Sequence, residues 1–216
     1  TDLINERTRL VAVTGASNLL GTRPDLASIA AAVHQADALF YVDGVHLTAH
    51  APIDMQAIDA DFFVCSPYKF LGPHNAFLAA SPALLETMHP DKLKPATEDV
   101  PERFELGTLQ YELLAGVTAA IDMLADLVPG DEATMSRRAR LVRSMVALEE
   151  YEDGLHARMR AGLESLAGIE LFSHAPVRTP NRAVPVRWDR FAGRLPRAGR
   201  PRSERAGRLV LCDRAR

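Results

Sequence analysis

The chain has 216 residues, 47% of them hydrophobic, and a formal net charge of −3 at neutral pH. That is enough apolar material for a packed core, no run approaches a membrane span, and no basic-plus-apolar leader opens the sequence, so a cytoplasmic protein is expected. The two cysteines, Cys65 and Cys212, and the absence of a His/Cys cluster at ligand spacing argue against a disulfide framework and against a metal site.

The first element is a strand over 9–14, RLVAVT, followed by a loop holding Asn18 and Gly21. Pro24-Asp25 opens a helix whose apolar positions Leu26, Ile29, Ala30 and Val33 recur at helical spacing. Leu39–Val42 and Phe62–Cys65 are short runs rich in aromatic and β-branched residues, bounded by turn residues, so each reads as a buried strand. Strand, helix, strand in this order implies a parallel sheet. Ile53–Asp59 reads as a short helix or turn, Asn75–Ala79 as another strand and Pro82–Met88 as a short helix.

Residues 89–108 form a polar, proline-containing loop. A helix follows with Leu113, Val117, Ile121, Leu124 and Val128 on one face, stopped by Pro129-Gly130. A second, long helix is expected from Ser136 to Leu166, with Leu141, Met145, Leu148, Leu155, Met159 and Leu166 as its apolar stripe and Gly154 as a place to bend. No internal repeat is visible.

The last stretch differs from the rest. Residues 187–216 hold ten Arg and three acids, a net of +7, while the other 186 residues hold 15 basic and 25 acidic side chains, a net of −10. A basic tail is one signature of nucleic-acid binding. This one has no lysine, few aromatics and no apolar period, so nucleic acid is not an expected partner. Ordering a residue costs roughly 1–2 kcal/mol of backbone entropy, and between Arg190 and Arg208 only Phe191 and Leu195 could offset it by burial. Disorder is the expectation for 188–216.

The chemistry concentrates between residues 39 and 73. The first buried strand ends in Asp43-Gly44 and the second in Ser66-Pro67-Tyr68-Lys69. Parallel neighbours place that acid and that lysine at one sheet edge, where open α/β sheets bind ligands. An Asp facing a Lys is the pair a pyridoxal phosphate (PLP) enzyme needs: the lysine forms a Schiff base and the acid keeps the pyridinium nitrogen protonated. Lys69 is one of only three lysines, beside Lys92 and Lys94 in a polar loop, in a chain that otherwise uses arginine. Arginine cannot form an imine, whereas a partly buried lysine can. The plainer alternatives are a lysine snorkelling at a strand end and an Asp-Gly turn pair.

These segments resemble the class V aminotransferases, the fold-type-I PLP group that includes cysteine desulfurases. VDGVH resembles that group's VDGAQ-like strand end, and DADFFVCSPYKFLGPH its D-F-(Y/F)-x-x-S-x-H-K-(L/F)-x-G-P segment. VTGASNLLGT and RFELGTLQ resemble its Ser-Asn-x-x-Gly and Phe-Glu-x-Gly-Thr segments, and the four stand in the family's order over residues 8–128. The resemblance implies an α/β fold, a partial large domain with a mainly parallel sheet (1–130), a connecting helix (131–167) and the start of a small α+β C-terminal domain (168–187). It implies an amino-acid substrate, an aldimine at Lys69 and a lysine that shuttles the Cα proton. Transamination, desulfuration and epimerisation share that step. Asp43 would partner the pyridinium nitrogen. Asn18 and His46 would lie near the phenolic oxygen, His46 standing where the family has a Gln and still serving as a donor. Ser66 and Tyr68 would bind phosphate, Tyr68 replacing a common His. Thr108 would reach the phosphate of the neighbouring subunit, implying a homodimer; a plain helix cap is its alternative.

Relative to the family, the phosphate-cradling glycine turn and the ring-stacking residue would lie upstream of this sequence, and the Arg-rich tail does not resemble the substrate-binding domain. A truncated member with impaired activity is therefore expected, or a non-catalytic remnant of that fold. A further alternative starts from Val13-Thr14-Gly15-Ala16-Ser17, which resembles the opening of a short-chain dehydrogenase binding NAD(P). That fingerprint needs a glycine where Leu19 stands, and no Tyr-x-x-x-Lys follows.

Overall fold

The computed structural model describes residues 3–130, 134–167, 169, 171–172 and 175–181. The expected tail at 188–216, with Cys212, lies outside the described residues. Four strands, β1 (Leu10–Thr14), β2 (Leu39–Asp43), β3 (Phe62–Cys65) and β4 (Phe77–Ala80), form one sheet in the order β1-β2-β3-β4. The first three run parallel, and β4 returns antiparallel to β3.

Helix α1 (Leu26–His34) links β1 to β2, and its start is fixed by Asp25, whose carboxylate accepts from the Ser28 amide at 3.1 Å. Its predicted stripe is buried at Leu26, Ala30 and Val33. The short α2 (Met55–Ile58) is capped by Asp54 and closed by Asp59 in the left-handed region, φ 59°. Phe40 and Val42, alternating along β2, meet α1 from one face of the sheet and are completely buried, with Phe63 beside them. Burying each such side chain stabilises the fold by about 1.5–3 kcal/mol.

Beyond β4, α3 (Pro82–Glu86) opens on a Ser81 cap, and α4 (Tyr111–Ala125) packs on α5 (Arg137–Glu164). Val117, Leu124 and Met145 are buried, and the buried Ser144 hydroxyl donates to the Ala125 carbonyl at 3.0 Å. Three expectations change here. Helix α4 stops at Ala125, not at Val128, because the Val128 amide turns to Ser144 Oγ at 3.2 Å instead of continuing the helical ladder. Its cap position is Gln110, so Thr108 is no helix cap. Helix α5 runs through Gly154 unbroken, but only the first part of its stripe is covered: Leu155 and Met159 are exposed.

No helix among the described residues is long and apolar enough to cross a membrane. Within 168–187, the described residues make one antiparallel bridge, Thr22 to Arg178, onto the loop after β1. Helix α1 opens at Leu26, well beyond Gly15, so Thr14–Ser17 is not the glycine turn running straight into a helix that the dehydrogenase alternative requires.

Candidate active site at the carboxyl edge of the sheet

Parallel pairing brings the carboxyl ends of β1, β2 and β3 to one edge. The register sets Thr14 beside Asp43 and Asp43 beside Val64, so the loops after residues 14, 43 and 65 emerge together. Asp43 is exposed there, and its Oδ1 accepts from the Val45 amide at 3.0 Å, a local turn that aims the carboxylate off the strand end. The backbone behind it is fixed on both sides: Gly15 N donates to the Asp43 carbonyl at 2.7 Å, and Gly44 N to the Val64 carbonyl at 2.9 Å.

After β3 the chain makes a single 3-10 turn, Pro67–Phe70, preceded by Ser66. The Lys69 amide donates to the Ser66 carbonyl at 3.0 Å, and Gly72 N to the Pro67 carbonyl at 2.9 Å. Pro67 is fully buried and Leu71 takes the left-handed conformation, φ 69°. The turn is thereby anchored at its start and throws Lys69 outward. The lysine is exposed, not partly buried as expected, because it belongs to the turn and not to the strand. Its Nζ lies 5.2 Å from the centre of the Tyr68 ring, which in turn stacks on His74 at 5.0 Å with planes 10° apart. Among the described residues neither Asp43 nor Lys69 has an ion-pair partner, and the Ser66 hydroxyl makes no cap hydrogen bond.

His46, in the turn after β2, is half-buried. Its Nε2 lies 2.8 Å from Asn181 Oδ1 and 3.1 Å from Thr179 Oγ1. Burial pushes its pKa down, and His50 and Lys69 act in the same direction; the Asn181 contact and Glu152 oppose them. The His46 and His50 rings sit 4.7 Å apart, and His50 Nδ1 meets Glu152 of α5 at 2.8 Å. Asn18 is exposed in the loop after β1, its carbonyl accepting from Asn181 Nδ2 at 2.8 Å. Burial pushes the Cys65 thiol up, which keeps it protonated and unreactive.

The fold thus gathers Asn18, Asp43, His46, Ser66, Tyr68 and Lys69 at one edge. Thr108 lies apart, exposed in the loop before α4. Four further residues were not singled out from the sequence: Thr179, Asn181, Glu152 and Glu149, the last paired with Arg23 in the loop before α1. The two glutamates, three apart on α5, share one helix face, a spacing the sequence does show. Nothing local marks Thr179 and Asn181, which reach His46 from more than a hundred residues away.

The aminotransferase class-V family model matches residues 1–192. A cysteine desulfurase of Enterobacter sp. (strain 638) is 38% identical over 158 residues, 67% of this chain and 38% of that protein. One of Escherichia coli (strain SE11) is 32% identical over 183 residues, 79% of this chain and 41% of that protein. The chain therefore spans about two fifths of the length of these curated relatives. Among solved structures, the cysteine desulfurase CsdA from Escherichia coli superposes with a TM-score of 0.69 at 27% identity, covering 85% of this chain and 45% of that one. A cysteine desulfurase from Thermococcus onnurineus NA1, at 22% identity and a TM-score of 0.67, shares the fold.

Proposed function

The chain belongs to the class V aminotransferase family, in its cysteine desulfurase-like branch, and from that premise we propose that its sheet edge binds PLP and acts on an amino acid, with cysteine the first substrate to test. The observation that carries the reading is the placement of Asp43, at the end of β2, and Lys69, in the turn after the adjacent parallel β3, at one edge, each without a charged partner among the described residues. The donor set suits the cofactor. A carboxylate suits a pyridinium nitrogen, a primary amine suits an aldehyde, and the hydroxyls of Ser66 and Tyr68 suit a phosphate. When bound, PLP supplies a ring that absorbs the electrons of a carbanion formed at the substrate Cα.

The chain's own residues would then divide the work. Asp43, its backbone fixed by Gly15 and Gly44, holds a proton at the ring nitrogen through its exposed carboxylate. Lys69 would hold PLP through its amine and would move the proton at the substrate Cα; the anchored Pro67 turn keeps its stem at the edge. Asn18 and His46 would hold the phenolic oxygen. Thr108 serves the phosphate of a neighbouring subunit, which makes the working unit a homodimer. The domain reading follows: residues 1–130 as part of the cofactor-binding domain, 131–167 as the connecting helix and 168–187 as the start of the small domain.

Titration with PLP tests this. The wild-type chain is expected to develop the visible absorbance of a lysine-bound cofactor, Lys69→Ala to lose it, and Asp43→Asn to weaken binding. Identical spectra from wild type and Lys69→Ala would remove Lys69 from its role and leave the chain a non-catalytic form of the fold.

A further inference from the structure

The tautomer of His46 is fixed by a chain of contacts that starts at a backbone carbonyl. The carbonyl of Asn18 can only accept, so the Asn181 atom 2.8 Å from it is the amide nitrogen. The other end of the same amide, Oδ1, is an acceptor, and it lies 2.8 Å from His46 Nε2. The proton between them must therefore belong to Nε2. The buried Thr179 hydroxyl can give its own proton to the same oxygen, at 3.1 Å, or to the Gly21 carbonyl, at 3.4 Å, and either leaves a lone pair for Nε2, at 3.1 Å. Thr179 is itself held by its amide, which donates to the Gly21 carbonyl at 2.8 Å. In a neutral ring with the proton on Nε2, Nδ1 carries a lone pair.

We propose that Asn181 and Thr179 are positioning residues that fix His46 as the Nε2–H tautomer and so set it at the β2 end of the site as a hydrogen-bond acceptor. The donor role expected for this position from the family's Gln is thereby reversed. An amide there offers N–H; neutral His46 offers a lone pair, whose complement is a donor on the bound molecule, such as a substrate ammonium or a protonated phenol. The choice of complement rests on the function proposed above, but the tautomer does not. Burial of His46 and the nearby Lys69 ammonium favour the neutral ring, while the Asn181 hydrogen bond and Glu152 act the other way.

The test uses the full chain without cofactor, so its failure is separate from failure of the PLP reading. Long-range proton–nitrogen NMR on nitrogen-15 histidine-labelled protein, at about pH 8, above the ordinary histidine range, reads the protonation of each ring nitrogen. His46→Gln assigns the His46 signals. The expected pattern is a protonated Nε2 and a bare Nδ1. Asn181→Leu should collapse the difference between the two nitrogens toward an average, while Asn181→Asp, which keeps an acceptor, should preserve it. His34 and His50 signals report whether each variant keeps the fold; if Asn181→Leu loses it, Thr179→Val and Asn181→Asp carry the comparison. A proton on Nδ1 in the wild type, or an Asn181→Leu pattern equal to wild type in a folded protein, overturns the assignment.

Discussion

Gly44 sits between the proposed pyridinium partner and the core, and a single methyl there should disturb both. A Cβ built at Gly44 falls inside the ring of Phe63, with Cε2 at 2.7 Å and two other ring atoms nearer still. Phe63 is 5% exposed and packed in the β2–α1 core, so the ring must shift against its neighbours to admit the methyl. Among the described residues the only glycine at positive φ is Gly21, so the cost at Gly44 is steric rather than conformational. Overpacking of this kind costs about 1–3 kcal/mol. In a chain of this size each kcal/mol lowers the melting midpoint by about 2–4 °C, giving a fall of about 2–12 °C for Gly44→Ala. Urea and thermal unfolding monitored by circular dichroism measure it. Gly107→Ala, where a Cβ meets nothing within 4 Å, is the control and should stay within about 0.5 kcal/mol of wild type. Shrinking the ring with Phe63→Leu should recover part of the loss, so that the double variant is more stable than the sum of the singles predicts. A Gly44→Ala midpoint equal to wild type, or strict additivity with Phe63→Leu, would refute the reasoning.

Other perturbations are equally definite. Phe40→Ala empties the centre of the sheet, where the ring is fully buried, and should cost about 3–5 kcal/mol by chemical unfolding. Ser144→Ala removes the hydroxyl that joins α5 to the Ala125 carbonyl and the Val128 amide, and should cost about 1–3 kcal/mol, read the same way. His34 bridges Asp61 at 3.0 Å and Asp59 at 3.2 Å, and its pKa is raised, the hydrogen bond it donates to Asp61 being the largest cause. Protonation therefore favours the folded chain: the stabilisation is fully present below the ordinary histidine value of 6.5 and is lost as pH rises through the raised native value. The gap in melting midpoint between wild type and His34→Gln should accordingly be widest at acid pH and close toward alkaline pH; a gap that widens upward contradicts the bridge.

The strands were legible because their ends are chemically marked. Ser66-Pro67 stops β3 where its apolar run stops, and β2 runs one residue past its own, through Asp43. Helix α1 was equally clear, with its cap and its stripe in the same dozen residues. What escaped depends on contacts distant in the chain. The end of α4 is decided by Ser144 on another helix, not by the apolar Leu127 and Val128 that continue its period. Lys69 looked partly buried because apolar residues flank it in sequence, yet a 3-10 turn turns it out. Thr179 and Asn181 carry no periodicity or motif of their own; only the folding of 177–181 across the loop after β1 brings them to His46.

The central claim is that Lys69, among three lysines, is the residue that bonds the cofactor. The other two differ in setting: Lys92 is engaged by the Ala96 carbonyl and Glu98, and Lys94 is exposed in the same loop. Incubation with PLP below one equivalent, borohydride reduction and peptide mass mapping locate the bond directly. The pyridoxyl label is expected on the peptide carrying Lys69, with loss of that label when Asp43→Asn weakens binding. A label shared between Lys92 and Lys94, with Lys69 unmodified, would contradict it.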